Sequence, residues 1–393
     1  MTTAIDEKLP QSDVNVAEFA RVVETLEERW RVAGDESYDP YDGLLYSRLP
    51  GRLRANRWSR LGLVQWHKRL PFNTRALFGI HPTRNAYAVG QLASAAIHMA
   101  AAGRATTTLR ASIDERLEWL RATRVDGGWT YPFEVQTKTN HYAASLPNVI
   151  STVFAGRAFL DAFSLLHDDS ALPVAADAAA FMRRELWSAR GSYFGYHAGE
   201  PSLIHNANVV AADFVVHVGS LTGDDAIVEQ GMAAVETSLE FLRADGSLLY
   251  GDGPALSWID GHHTGFVIES LRRIEDAVPG AGLGDRLRAM TDFYRARLFA
   301  ADGCPFQRPD RRYPIDAIAG AQGIKTFAVL GGAHCDFAVT IARFMLDNMR
   351  RRDGGFLYHR GRVHKKRVAY LRWSDAPIAD ALATLVHTCG DGR

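Results

Sequence analysis

Acid–base side chains recur at matching places in the C-terminal two-thirds of the chain. Asp260 and Asp316 occupy equivalent positions in adjacent repeats. Paired carboxylates across a cavity are what glycoside chemistry uses, one as acid and the other as base or nucleophile. His205 and His263 stand at corresponding segment starts, where histidine is not a favoured helix cap. We predict that these four side chains are catalytic, with ordinary N-capping as the alternative for the two aspartates.

A fifth candidate comes from the second repeat, where Tyr142 follows His141 just before an apolar segment. A tyrosine with a nearby histidine can remove and return the proton beside a uronate carboxylate that Asn, His or Arg has neutralised. Tyr142 therefore completes the predicted catalytic set. The predicted substrate-binding residues are polar and aromatic neighbours of these groups, with the two tryptophans as stacking platforms: Arg84, Asn85, His141, Asn208, Tyr250, Asp252, Trp258, His262, Tyr313 and Trp373.

Most of these residues lie at or beside the starts of apolar segments that repeat along the chain. The segments open at intervals of about 55 to 65 residues, the spacing expected of stacked helical units, near Pro82, Pro147, His205, Asp260, Pro314 and Trp373. Backbone N–H groups at a helix N-terminus are unpaired and carry partial positive charge. Six such starts facing one cavity would favour an anion, such as a uronate carboxylate or a phosphate.

Two alternating sets of segments predict the fold. Amphipathic segments predict an outer ring of helices at 53–69, 107–123, 171–187, 224–243, 283–299 and 335–352. Their partners, richer in Ala, Gly, Val and Phe, predict a buried inner ring at 84–102, 148–166, 206–221, 261–277, 315–331 and 374–388. Glycine turns between partners, as in Asp126-Gly-Gly-Trp129, end helices because glycine tolerates positive φ.

The sequence therefore predicts an all-α protein, an (α/α)6 toroid of six helical hairpins, with an open solenoid as the alternative. Residues 14–33 carry a helical stripe and 35–50 are irregular. We predict an N-terminal helix and irregular arm over 1–50. Because no low-complexity linker separates the repeats, a single toroid domain is predicted over 51–393.

Composition narrows the class of protein. Lys plus Arg and Asp plus Glu both number 45, and a balanced chain argues against a nucleic-acid binder. Three widely spaced cysteines, odd in number, predict free thiols in a reducing compartment. No apolar stretch precedes Val16, and no window resembles a spanning helix. We expect a soluble cytoplasmic protein without stable membrane insertion, whose partner is a small-molecule or glycan substrate; the sequence leaves partner proteins open.

The acidic motifs of metal or protonating sites are absent from the sequence. Asp168-Asp169 and Asp224-Asp225 precede outer helices, where aspartate is an ordinary cap. The neighbours in His334-Cys335-Asp336 diverge by about 100° along a helix and cannot all face one ion. No metal or other cofactor is predicted, and the basic run 360–367 is interpreted as a solvated loop, with an anionic glycan or lipid phosphate as the alternative ligand.

Two resemblances add to this interpretation. Leu117-Glu-Trp-Leu120 followed by Asp126-Gly-Gly-Trp129 resembles the "QW" repeat of terpenoid cyclases, which share a toroid fold with protein prenyltransferases. More of the chain resembles toroid proteins associated with bacterial surface-polysaccharide gene sets. The resembling stretches are His205-Asn-Ala-Asn208, Trp258-Ile-Asp-Gly-His-His-Thr-Gly265, Tyr313-Pro-Ile-Asp316 and Tyr370-Leu-Arg-Trp373.

Three functions remain open from the sequence. The leading hypothesis is an epimerase, lyase or hydrolase acting on a carbohydrate, including uronate-containing or lipid- or nucleotide-linked sugars. The second is a terpenoid or prenyl-substrate enzyme, which predicts a cavity lined mainly by aromatic and aliphatic groups. The third is a non-catalytic toroid that binds a glycan or a protein, which predicts no hydrogen-bonded carboxylates or histidines in the cavity.

Overall fold

A computed structural model describes residues 11–44, 50–70, 72–136, 141–363, 365 and 368–390. Residues 1–10 of the polar N-terminal stretch lie outside this range. So do three residues of the basic run: His364, Lys366 and Arg367. The described residues are mostly helical, and their helices are joined by turns and three two-stranded antiparallel ladders.

Six inner helices form a closed ring, which confirms the predicted toroid. They are α4 (Ala86–Met99), α6 (Val149–Leu166), α8 (His205–Thr222), α10 (Gly261–Ala277), α12 (Ala317–Leu330) and α14 (Asp375–Cys389). Each packs against the next, and α14 returns to pack against α4. Their small residues allow close approach: a Cβ at Gly90 would lie 2.3 Å from the Phe154 carbonyl oxygen of the neighbouring helix.

Outer helices cover the ring: α5 (Thr107–Ala122), α7 (Leu172–Phe181), α9 (Asp225–Leu239), α11 (Gly284–Leu298) and α13 (Cys335–Met349). Each packs chiefly against the inner helix that precedes it in the chain. The sequence-based pairing, in which each outer helix precedes its inner partner, is therefore offset by one helix.

The sixth outer position belongs to the N-terminal helix α1 (Gln11–Val32), which packs against α14 and α4. Phe19 and Leu26 of α1 are fully buried in the core, and the indole nitrogen of Trp30 donates to Asp375 of α14 at 3.0 Å. The prediction that 53–69 occupies this outer position is wrong. That segment forms the short helix α2 (Gly51–Ala55) and α3 (Arg57–Arg69), and α3 packs instead against the turn Asp42–Leu44 and a ladder beside the ring opening.

The ladders shape the loops at the N-terminal ends of the inner helices. They pair β1 (Val135–Gln136) with β2 (His141–Tyr142), β3 (Trp187–Ser188) with β4 (Tyr193–Phe194), and β5 (Ile315–Asp316) with β6 (His359–Arg360). In the third ladder Asp316 lies opposite His359. Two-residue strands carry no periodic sequence signal, so the sequence did not predict them.

Charged side chains of the inner helices meet inside the ring, about two turns beyond the helix starts. Arg157 of α6 donates to Asp213 of α8 at 2.5 Å, and Lys325 of α12 donates to Asp380 of α14 at 2.6 Å. Burying a charge is costly unless it is paired, so these groups bind neighbouring inner helices to one another. The inner helices are thus less uniformly apolar than their composition suggests.

The prediction of free thiols is wrong for two of the three cysteines. Cys335 at the start of α13 and Cys389 at the end of α14 form a disulfide, whereas Cys304 is free and buried. The two are 54 residues apart, and only the packing of α13 on α14 brings their Cα atoms to 6.0 Å.

Helix α6 is long and apolar enough to cross a membrane by length and composition, but two-thirds of it is buried between its ring neighbours.

Candidate functional site

A cavity of about 530 Å³ opens at the end of the ring where the inner helices begin. This volume falls within the range of small-molecule sites. The starts of α6, α8, α10 and α12, the loops before them and the segment before α14 all contribute to its wall. The polar helix starts that repeat along the sequence therefore converge on one chamber.

Asp260 caps α10 and also holds a histidine. Asp260 Oδ1 accepts from the backbone N–H of His263 at 2.9 Å, and His263 Nδ1 lies 2.8 Å from Asp260 Oδ2. His262 Nδ1 lies 3.4 Å from Oδ1, and the two imidazole rings are 3.8 Å apart. The capping role and the candidate catalytic role thus coexist in one carboxylate.

Asp316 repeats the arrangement at α12. Its Oδ1 accepts from the backbone N–H of Ile318 at 3.1 Å, while Oδ2 lies 3.1 Å from His359 Nε2. The ladder between β5 and β6 sets this second carboxylate–histidine pair by placing the two residues opposite each other. His262 is close enough to both pairs for its pKa to respond to Asp260 and to Asp316.

Electrostatics keep both carboxylates ionised. Burial raises the pKa of Asp260, but His262 and His263 and the hydrogen bonds from His263 lower it by more, so the net pKa lies below the usual range. Asp316 behaves alike: burial raises its pKa, and His359 outweighs burial. Burial lowers the pKa of His262 to about 4, so this ring is neutral at pH 7.

Aromatic rings wall one side of the cavity. Tyr250 stacks on Trp258 with ring centroids 4.1 Å apart, and the guanidinium of Arg308 lies 5.6 Å from the centre of the Trp258 ring. His263 meets both rings edge-on. These ring contacts, together with the hydrogen bonds to Asp260, fix the orientation of the imidazole.

A buried arginine also lines the cavity. Arg372 donates to both oxygens of Asp39, at 2.7 and 3.0 Å, and its guanidinium lies 4.8 Å from the ring of Tyr131. The Tyr131 hydroxyl lies 3.0 Å from that of Tyr196. Burial raises the pKa of both tyrosines, so their hydroxyls stay protonated and serve as hydrogen-bonding groups.

The structure brings eight of the fifteen predicted residues to this cavity. Tyr142, the predicted proton carrier, lines the wall, donates to Glu200 at 2.7 Å and stacks on His197. The full set in the cavity wall is Tyr142, Tyr250, Trp258, Asp260, His262, His263, Asp316 and Trp373.

Two predicted residues of α8 turn away from the cavity. His205 is 1% exposed, and its Nδ1 lies 3.2 Å from Ser238 Oγ of the outer helix α9. Asn208 donates to that hydroxyl as well and accepts from the backbone N–H of Phe194. Both sit in the first turn of an inner helix, but their side chains tie the inner and outer rings together, which corrects the prediction that they act on substrate.

Five other predicted residues also lie outside the cavity wall. Arg84 bonds to the Gly34 carbonyl and to Glu115, and Asn85 caps α4. The remaining three are an exposed histidine paired with Glu134, an exposed loop aspartate and a tyrosine on an outer groove: His141, Asp252 and Tyr313.

The cavity wall also contains histidine and arginine side chains that were not predicted from the sequence, among them His359, Arg372 and His197. His359 could not be paired with Asp316 from sequence because the ladder joining them is two residues long. Arg372 lies within the Tyr370–Trp373 stretch already singled out, and its position beside Trp373 was the available signal.

Asp260, His262 and His263 offer metal-ligand atoms within 4.8 Å of one another. Carboxylate and imidazole would suit a divalent transition ion. The hydrogen bonds between Asp260 and His263 occupy the same atoms, so an ion there would replace those bonds.

No protein-family model matches the chain, and no curated protein matches it in sequence. Solved structures do resemble its fold. An unsaturated glucuronyl hydrolase from Bacillus sp. GL1 aligns with a TM-score of 0.63 at 16% identity, covering 94% of this chain and 95% of that one. A GH76 α-mannanase from Bacteroides thetaiotaomicron gives 0.61 at 13%, covering 78% and 86%. The cellobiose 2-epimerase from Spirochaeta thermophila gives 0.57 at 13%, covering 79% and 87%. These structures share the α/α toroid with this chain.

Proposed function

We propose that this protein is a carbohydrate-active enzyme that moves protons at a sugar carbon, as an epimerase or isomerase does. The observation that carries the proposal is the presence of two carboxylate–histidine pairs, Asp260–His263 and Asp316–His359, in the wall of one cavity. Two separate acid–base groups can remove a proton from one face of a carbon and return it to another.

Each pair is arranged for proton transfer by the imidazole rather than by the carboxylate. A carboxylate at Nδ1 of His263 holds the proton on that nitrogen, which leaves Nε2 as the basic atom. In His359 the bonded atom is Nε2, so Nδ1 is the basic one. Because Asp260 and Asp316 both have lowered pKa values, each stabilises the imidazolium that forms when its histidine takes up a proton.

The same pKa shifts disfavour hydrolysis by the two aspartates. A glycosidase needs one carboxylic acid with a raised pKa to protonate the leaving oxygen. The pKa values of Asp260 and Asp316 are both shifted downwards. Hydrolysis, the activity named for two of the similar structures, and epimerisation, named for the third, are separated by the experiment below.

The cavity lining bears on the two other hypotheses. More than half of the lining residues are aromatic or aliphatic, as a terpenoid substrate would require, but the aspartate, histidine and arginine side chains among them favour a sugar. The hydrogen-bonded aspartate–histidine pairs are what a non-catalytic toroid was expected to lack. A role in surface-polysaccharide biosynthesis is part of this proposal and rests on the sequence resemblance. The cytoplasmic location stays a prediction, although the disulfide removes the thiol argument for it.

The test is incubation with reducing sugars, uronates and nucleotide sugars in D2O, followed by NMR and mass spectrometry. We expect deuterium at the carbon that changes configuration, without cleavage of the glycosidic bond. Asp260→Asn and Asp316→Asn should each lower kcat by about 10²- to 10⁴-fold. Asparagine caps helices as well as aspartate does, so both variants should keep the wild-type helicity.

Asp224→Asn is the matched control, because Asp224 caps the outer helix α9 through Ile227 and does not line the cavity. This variant should retain full activity. Full activity in both cavity variants would refute the assignment. Cleavage of a glycosidic bond with no deuterium on carbon would identify a hydrolase instead.

A further inference from the structure

The segment 51–80 differs in charge from the rest of this balanced chain. It contains seven Lys and Arg residues and no Asp or Glu: Arg52, Arg54, Arg57, Arg60, Lys68, Arg69 and Arg75. It is also the part of the first predicted hairpin that the ring does not use, since α1 holds the outer position instead.

This segment concentrates the exposed apolar side chains of the described residues. Helix α3 buries Leu63 and Val64 on one face and exposes Trp58 and Trp66 on another, at 72% and 51%. The same segment also exposes Leu53, Phe72 and Leu77. These five are half of the ten large apolar side chains that are exposed among the described residues. Exposed apolar side chains concentrated in one segment in this way indicate an interaction site.

Three of the positive charges around these side chains are available to a partner. Arg52, Arg57 and Arg69 are exposed, and no carboxylate of the described residues lies within 4.0 Å of them. Three others are used internally: Arg75 pairs with buried Asp42 at 2.8 Å, Arg60 donates to Gln136, and Lys68 donates to the Tyr41 hydroxyl.

We propose that the surface formed by the described residues of 51–78 docks on the headgroup region of an anionic phospholipid membrane. Basic residues interleaved with Trp and Leu on a short amphipathic helix are what an interfacial helix presents to lipid. Arginines near an anionic leaflet are attracted electrostatically, and exposed tryptophans sit at the headgroup level. Aliphatic Leu53 and Leu77 have no stacking role towards a sugar but gain from contact with acyl chains.

The docking surface adjoins the cavity. Lys68 of α3 lines the cavity wall, and Arg60 bonds to the ladder that carries Tyr142. Binding to a membrane through 51–78 would therefore bring the opening close to lipid headgroups, where a lipid-linked sugar would be presented. The docking itself does not depend on the proposed sugar chemistry.

The test uses the full chain and vesicles of phosphatidylcholine alone or with about equal phosphatidylglycerol. We expect sedimentation with the anionic vesicles at low salt and its loss as salt screens the charges. The triple variant Arg52→Gln, Arg57→Gln, Arg69→Gln should bind about 100-fold more weakly. Trp58→Ser with Leu77→Ser should weaken binding at least about tenfold.

A matched control separates this surface from general basicity. The triple variant Arg190→Gln, Arg243→Gln, Arg288→Gln removes three exposed charges elsewhere and should bind normally. Lipids brominated on the acyl chain should quench part of the tryptophan emission. Trp58→Phe with Trp66→Phe should remove that quenching while binding persists.

Three results would overturn the proposal. The first is no sedimentation with anionic vesicles at low salt. The second is equal loss of binding in the control triple variant. The third is that a soluble acidic polysaccharide binds as tightly as the vesicles do, and that Trp58→Ser with Leu77→Ser does not weaken this binding. That result would make the surface a glycan site. Turnover of a soluble sugar by the surface variants reports separately on the proposed enzyme activity.

Discussion

At the scale of single residues, the sequence predicts at which end of the ring a side chain lies, but not whether it points into the cavity. Polar residues at inner-helix starts were recognised because they repeat, and Asp260 and His263 do face the cavity. His205 occupies the same level of the ring but turns to Ser238. A helix start fixes the height of a residue in the ring, whereas neighbouring positions diverge by about 100° around the axis. The sequence predicted height well and direction poorly.

Histidines inside and outside the cavity give a direct test of this distinction. His359, missed from the sequence, bonds to Asp316 in the cavity, while His141, predicted from the sequence, is an exposed partner of Glu134. We expect His359→Gln to lower kcat by about 10²- to 10⁴-fold because it removes an acid–base group. His141→Gln should leave kcat within about twofold of the wild-type value. Steady-state kinetics on the sugar identified in D2O measures both effects. A large loss for His141→Gln with none for His359→Gln would contradict the assignment of His359 to the site.

At the scale of elements, the period of apolar residues predicted the inner ring closely. All six predicted inner segments correspond to inner helices, because an apolar helix of this length has to be buried on most sides. The outer set was less secure. Amphipathic segments such as 53–69 satisfy the same period whether they cover the ring or lie beside its opening, so periodicity alone could not decide which helix fills the sixth position.

The turns between helices make a testable contribution to ring packing. Gly246 has φ +79°, and a Cβ added there would lie 2.2 Å from the Ala289 carbonyl oxygen of α11. Gly282 has a similar φ, +74°, but open space around it. Gly282→Ala should cost about 1 kcal/mol from the backbone alone. Gly246→Ala should cost about 1 to 3 kcal/mol more because the turn must also move away from α11.

Urea unfolding followed by circular dichroism measures both free energies of unfolding. Equal losses for the two variants would show that the turn does not pack against α11 as described. The pair of variants isolates packing from backbone strain because the two glycines share a left-handed conformation.

At the scale of the whole molecule, the two ends of the chain close the ring. Helix α1 covers α14, and Arg29 of α1 forms an ion pair with Asp353 at 3.1 Å in the turn that leads towards α14. The disulfide between Cys335 and Cys389 ties α13 to the far end of α14. Contacts between residues more than 300 positions apart leave no periodic trace, which is why the sequence alone suggested an arm.

Ring closure buries histidines, and this predicts how stability depends on pH. Burial lowers the pKa of five of them from 6.5 to about 4 or, for one, about 3: His98, His197, His205, His262 and His217. Between these values and 6.5 the unfolded chain binds protons that the folded protein does not. The free energy of unfolding should therefore decrease as pH falls through this window, by up to about 1.4 kcal/mol per pH unit for each histidine.

Urea unfolding at pH 7 and pH 5 measures this dependence, and His205→Gln should make it shallower because glutamine does not titrate. A free energy of unfolding that stays constant between pH 7 and pH 5 would mean that the histidines become protonated without unfolding. In that event water reaches the interior of the ring, and the buried ion pairs between inner helices would be hydrated as well.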